Sequence, residues 1–213
     1  MAFDETAISS AIVRGYHEKL LDRLTSDVIV VGAGPSGLVA AMDLAAQGAK
    51  VTIVERRLTP GGGVWGGAMA MNEVVVQPRA APLLDELKVR SRPVDSGLHR
   101  VDAVELAAAL ILHAVRNGAV ILNMTTAEDI CVHDGRVSGV VINRSSAPAP
   151  LPIDPLTLKA SAVVDATGHD AAVVAMLRRR ELIDQPLVAG EGPMNAEEGE
   201  RFVVEQTDEL HAG

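Results

Sequence analysis

Asp27-Val-Ile-Val-Val31 is a short unbroken apolar run, and Gly32-Ala-Gly-Pro-Ser-Gly37 follows it without a spacer. Such a run is the pattern of a strand buried on both faces of a parallel sheet. A helix is expected from about Leu38 to Gln47, stopped by Gly48, with Lys50-Val-Thr-Ile-Val-Glu55 as the next strand. Strand, glycine turn, helix and strand within about 30 residues make one βαβ unit. Each glycine of Gly32-x-Gly34-x-x-Gly37 then has a physical reading. The first allows the tight turn, the second lets backbone approach a pyrophosphate, and the third permits close helix–strand packing. The helix amino terminus offers N–H groups and a partial positive charge. Glu55 comes 23 residues after Gly32, where an acid can accept hydrogen bonds from an adenosine ribose. The glycine spacing alone also fits a merely tight turn; strand, helix and acid together favour a dinucleotide site. The acid speaks against a 2′-phosphate, although the neighbouring Arg56 and Arg57 blunt that inference.

The rest of the chain continues the alternation. Residues Asp4 to Leu24 read as an amphipathic helix, with Ile8, Ile12, Tyr16, Leu20 and Leu24 at four-residue spacing. Thr59 to Gly67 is expected to be a pliable loop, and Leu83 to Leu87 a short helix. Asp102 to Asn117 is expected to be a helix capped by Asp102, and Ala119 to Leu122 a strand. Ala127–His133 and Arg136–Asn143, joined by Asp134-Gly135, predict a hairpin. Ser145–Pro155 carries four prolines and should be an extended loop, and Ser161–Asp165 another buried strand. The expected fold is α/β: a doubly wound parallel sheet of the FAD/NAD-binding Rossmann-like type, with the antiparallel hairpin as an added layer. At 213 residues the chain is expected to be a single domain, 1–213.

Composition narrows the function classes. Acidic residues outnumber basic ones by 28 to 19, a net charge of −9, which disfavours nucleic acid as partner. The single cysteine rules out an internal disulfide and points to a reducing compartment. No apolar run approaches the roughly 20 residues of a membrane span. A cytoplasmic protein is expected.

Beyond the glycine turn, Pro60-Gly-Gly-Gly-Val-Trp-Gly-Gly67 places five glycines in seven residues just past the acid. That pattern suits backbone lying against a bulky ligand, the alternative being a surface loop. Asp154 and His169 are candidate metal ligands or acid–base groups; read individually, Asp154 equally starts a turn, and a lone histidine is more often structural. His17, His99, His113, His133 and His211 show no ligand spacing. Cys131 falls in an apolar strand segment, the setting of a buried thiol rather than a nucleophile.

With these residues in view, the chain resembles the thiamine thiazole synthase family. Gly32–Gly37, Glu55-Arg56, Pro60–Gly67, Asn72–Gln77, Thr126–Asp129, Ile153-Asp-Pro155 and Asp165-Ala-Thr-Gly-His169 occur in the family's order, as does Ala11–Leu21. The resemblance implies that NAD is a consumed substrate: nicotinamide is lost, the ADP-ribose sugar becomes a ketone, and glycine condenses with it. Sulfur is then added, and cyclisation gives an ADP-linked thiazole carboxylate. It further implies dinucleotide contacts from Ser36, Glu55, Arg56, Gly63, Ala127 and the stretch Pro152-Ile153-Asp154. Fe(II) would be held by Asp154 and His169 from neighbouring protomers of a homo-octamer. Where the family carries the Cys or His that separates internal from external sulfur, this chain has Pro152, so free sulfide is the expected donor. The family also continues past the position of Gly213, with a last strand, a glycine-rich Arg-Met-Gly-Pro segment and a closing helix. A shortened family member is therefore expected. The alternatives are a non-catalytic dinucleotide-binding homologue and a flavin-dependent oxidoreductase.

Overall fold

The computed structural model describes residues 4–145 and 154–183. Its centre is β1 (Thr25–Val31), the apolar run that precedes the glycine turn. β1 pairs in parallel on one side with β2 (Val51–Val54), and on the other with β9 (Leu156–Asp165). β6 (Val120–Leu122) adds to β2, also in parallel. The hairpin is present as β7 (Thr125–His133) and β8 (Arg136–Arg144). It joins the same sheet antiparallel through β9, giving the order β6-β2-β1-β9-β8-β7.

The strands alternate their faces between two cores. Val30 and Ile53 point to the side covered by α2 (Pro35–Ala46) and α4 (Ala103–Arg116), where Leu38, Met42, Leu106 and Leu110 are buried. Ile29, Val31, Val54 and Leu158 point to the other, which holds Val173, Met176 and Leu177 of α5 (Ala172–Arg179). Each such aliphatic side chain, fully buried, contributes roughly 1.5–3 kcal/mol. Asp102 caps α4 as expected, accepting from the Glu105 N–H at 2.8 Å.

Two features go beyond the sequence reading. A second, three-stranded antiparallel sheet is formed by β3 (Glu73–Val76), β5 (His99–Asp102) and β4 (Ser91–Pro93), in the order β3-β5-β4. And α1 (Glu5–Asp22) is a helix as expected, but none of its residues is buried. Its carboxy-terminal end is anchored by Leu20 and the following Leu24, packed on the second core, and Tyr16 meets Arg144 of β8, whose guanidinium donates to the Tyr16 hydroxyl at 3.3 Å and lies over its ring. Ile12 and Leu21 stand 66% and 67% exposed. Among the described residues, no helix is long and apolar enough to cross a membrane.

Candidate functional site

Strand register builds the site. Val31, Val54 and Leu122 are level across three parallel strands, and Asp165 is level with Val31 on the fourth. Gly32, Glu55 and Ala166 therefore emerge side by side at the carboxyl edge of the sheet, where open α/β sheets bind ligands. The ladder continues past the strands: Gly32 N–H donates to the Val54 carbonyl at 2.8 Å, and Ala166 N–H to that of Val31 at 2.9 Å.

Over this edge lies a cavity of about 540 Å³, within the range of small-molecule sites. Of the residues singled out in the sequence, Gly32, Gly34, Ser36, Glu55, Arg56, Gly63, Ala127 and His169 all line it. Gly37 does not; its role is packing, since a Cβ there would lie 2.1 Å from the Gly32 carbonyl oxygen. Gly32 is also structural: its φ is +104°, and a Cβ would stand 2.3 Å from the Ala166 oxygen. Gly34 differs from both. Its backbone is ordinary (φ −74°, ψ 180°), and a Cβ would meet nothing within 4 Å. Neither conformation nor packing asks for glycine there, so what the missing side chain leaves free is the cavity itself. The same holds at Gly63, with φ −80° and open space around it.

Gly34 is the N-cap of α2 and makes no side-chain cap, and Pro35 has no N–H to offer. The first-turn amides thus face the cavity without a side-chain acceptor, the arrangement that receives an anion. The buried carboxylate of Glu55, 6% exposed, also lines the cavity. Its Oε2 accepts from Ala33 N–H at 2.8 Å and its Oε1 from Arg57 N–H at 2.7 Å. Each oxygen keeps a further lone pair for a ligand hydroxyl. The Arg56 guanidinium reaches the Asp170 carboxylate at 3.5 Å, both side chains being largely exposed.

The loop Thr59–Gly67 is pinned rather than pliable. Gly61 N–H donates to the Ala33 carbonyl at 2.7 Å, and the Trp65 indole N–H to that of Pro60 at 2.6 Å. The loop is thereby fixed to the glycine turn, and Gly63 faces the cavity.

Asp154 and His169 are not brought together within one chain. Asp154 precedes β9 and His169 follows it, and ten strand residues at about 3.3 Å each hold them roughly 30 Å apart. Both are exposed. Among the described residues, no group of three or more His, Cys, Asp or Glu side chains is close enough to share a metal ion. Pro152 and Ile153 lie outside the described residues. Cys131 is half-buried in β7, opposite Gly139 of β8, and does not line the cavity.

Several lining residues were given no contact role by the sequence: Arg57, Thr126 and Thr167, named there only beside the acid or within longer motifs, and Thr125, Asp170 and Met176, not named at all. Arg57, Thr167 and Asp170 adjoin residues that were recognised, so proximity to strand ends was a usable signal. Met176 reaches the cavity from α5 through tertiary packing, which no local pattern announces.

This constellation defines an α/β protein of the Rossmann-like class with a ligand-sized cavity at the carboxyl edge of its sheet. Residues 9–213 match the Thi4 family. The chain is 50% identical over 210 residues to the thiamine thiazole synthase of Thermococcus kodakarensis, covering 98% of this chain and 83% of that protein. It superposes on the crystal structure of Thermovibrio ammonificans THI4 with a TM-score of 0.92 and 44% identity, covering 99% of this chain and 83% of that one. A geranylgeranyl bacteriochlorophyll reductase-like protein from Thermoplasma acidophilum shares the fold alone, with a TM-score of 0.53 at 18% identity over 71% of this chain and 41% of that one. The chain belongs to the Thi4 family, whose members are thiamine thiazole synthases, and its role lies in making the thiazole half of thiamine.

Proposed function

We propose that the cavity takes NAD as a consumed substrate and that the protein joins it with glycine and free sulfide, in the presence of Fe(II), to form an ADP-linked thiazole carboxylate. The observation that carries this reading is the pair Gly34 and Gly63. Both lack a side chain for no reason internal to the fold, and both line the cavity beside the amino terminus of α2, of which Gly34 is the N-cap. The pyrophosphate lies against those amides, and Glu55 receives the adenosine ribose hydroxyls. Arg56 and Ala127 line the same cavity.

A carboxylate and an imidazole are a suitable donor pair for Fe(II), and Asp154 and His169 offer those atoms from exposed positions. Since β9 separates them, one ion is held by Asp154 of one copy and His169 of another. Iron bound there supplies a Lewis acid with affinity for sulfide. The exposed apolar face of α1 supports association of copies, and a homo-octamer is the assembly proposed. Cys131, half-buried in a hairpin away from the cavity, is a poor sulfur source, so sulfur comes from solution in a cytoplasmic setting.

The test is mass spectrometry of protein incubated with NAD, glycine, sulfide and Fe(II). The expected product is the adenylated thiazole carboxylate, dependent on sulfide and unaffected by Cys131→Ser. Absence of NAD binding by calorimetry, flavin in the purified protein, or dehydroalanine at position 131 after incubation would each overturn the reading.

A further inference from the structure

His169 has no hydrogen bond or ion pair among the described residues, and its side chain is exposed. Its place is therefore set by its backbone. That backbone is a short turn, Gly168–Asp170, followed by Ala171 at φ +40°. A non-glycine residue in the left-handed region costs roughly 1–3 kcal/mol and persists only where its surroundings over-determine it.

Two side chains supply that constraint. Asp165, the last residue of β9, accepts through Oδ1 from the Thr167 N–H at 3.0 Å and from the Thr167 hydroxyl at 2.7 Å. Its Oδ2 accepts from the Val174 N–H at 3.0 Å. The Thr167 hydroxyl in turn accepts from the Ala172 N–H at 2.7 Å. The segment 168–171 is thus closed at both ends by the same carboxylate and the same hydroxyl. On its inner side Ala166 rests on Gly32, where there is no room for a Cβ. The amino terminus of α5 is consumed internally by this network, whereas that of α2 is left open to the cavity.

We infer that Asp165 and Thr167 are positioning residues that hold the turn carrying His169 at the edge of the dinucleotide cavity, where its imidazole is open to a shared metal ion. The assignment rests on the proposed metal role of His169. A simple helix cap would require only an acceptor for the α5 amides. Here the hydroxyl both donates and accepts, and the carboxylate spans the turn.

Co(II) serves as the probe, since its visible absorption reports ligand number and geometry in the assembled protein. Wild type, His169→Ala, Thr167→Val, Thr167→Ser and Asp165→Asn are compared for Co(II) affinity and spectrum, for NAD affinity and for thermal midpoint. Thr167→Val keeps the shape and removes the hydroxyl; Asp165→Asn presents an amide N–H₂ to a backbone donor. Both should lose about 10- to 100-fold in Co(II) affinity, the range seen when the partners of a metal ligand are removed. Thr167→Ser should restore wild-type affinity and spectrum. Wild-type Co(II) binding in Thr167→Val, where His169→Ala has lost it, overturns the assignment alone. Wild-type binding in His169→Ala overturns the metal role of His169 and this assignment with it. Loss of NAD affinity and of the melting transition in Thr167→Val means a collapsed sheet edge, and also counts against it.

Discussion

The carboxylate of Glu55 is engaged before any ligand arrives, with one backbone N–H on each oxygen. Gln at this position must turn its amide N–H₂ toward one of those donors, so Glu55→Gln should cost about 1–3 kcal/mol of stability through an unsatisfied buried group. It should also weaken NAD binding by about 1.5–3 kcal/mol, the worth of a charge-assisted hydrogen bond. Thermal unfolding and calorimetry read the two effects separately, and an unchanged dissociation constant would mean that the acid does not meet the ribose. The glycines separate the same two roles. Gly32→Ala drives a Cβ into the Ala166 carbonyl and should destabilise the fold by about 1–3 kcal/mol. Gly34→Val should leave the melting midpoint near wild type, because the new side chain enters open space, yet abolish NAD binding by filling the pyrophosphate position. A folded Gly34→Val protein that still binds NAD would sink the dinucleotide assignment.

At the scale of elements, β9 governs both the sheet and the site. It pairs parallel with β1 and antiparallel with β8, so the hairpin hangs on it, and its end delivers Asp165 to the cavity edge. Leu158, fully buried between hairpin and sheet, is its anchor. Leu158→Ala should cost about 2–5 kcal/mol by urea titration; a loss under about 1 kcal/mol would show that the hairpin packs independently. β9 also shows what the sequence discloses and what it withholds. β1, β2 and the glycine turn were legible because a strand buried on both faces must be continuously apolar. Ser161–Asp165 was read the same way, and the structure makes it a strand but corrects the burial: Ser161 and Ala162 are exposed, and Val163, Val164 and Asp165 are half-buried. The first half, Leu156–Ala160, alternates exposed and buried residues beside a proline-rich stretch and was not assigned to a strand. The three-stranded sheet was missed for a related reason: its strands are three or four residues long and carry Arg, His and Glu. The candidate site was readable where chemistry sits in one local motif, as at Gly32–Gly37 and Glu55. It was not readable where function depends on strand length, as in the separation of Asp154 from His169.

That separation sets the expectation for the whole molecule. A strand of ten residues cannot fold back on itself, so the carboxylate before β9 and the imidazole after it can share an ion only when two copies meet. α1 offers a surface for such a meeting: an 18-residue helix with Ile8, Ile12, Val13 and Leu21 exposed. Complementation between inactive variants tests this. Asp154→Ala and His169→Ala should each lack Fe(II) binding when pure, since every site is missing one donor. When the two are mixed, dissociated and reassembled, a site that pairs Asp154 from a His169→Ala copy with His169 from an Asp154→Ala copy is intact. Random assortment makes about a quarter of the sites whole, so about a quarter of the wild-type iron content should return. A site built within one chain yields none at any mixing ratio. Iron analysis after mixing, with size-exclusion chromatography to verify exchange of subunits, separates the two; no recovery despite exchange would place the ligands elsewhere. Ile12→Asp, on the exposed face of α1, should leave the folded chain intact but lower both the assembly state and the recovered iron, since the site forms only as the copies associate.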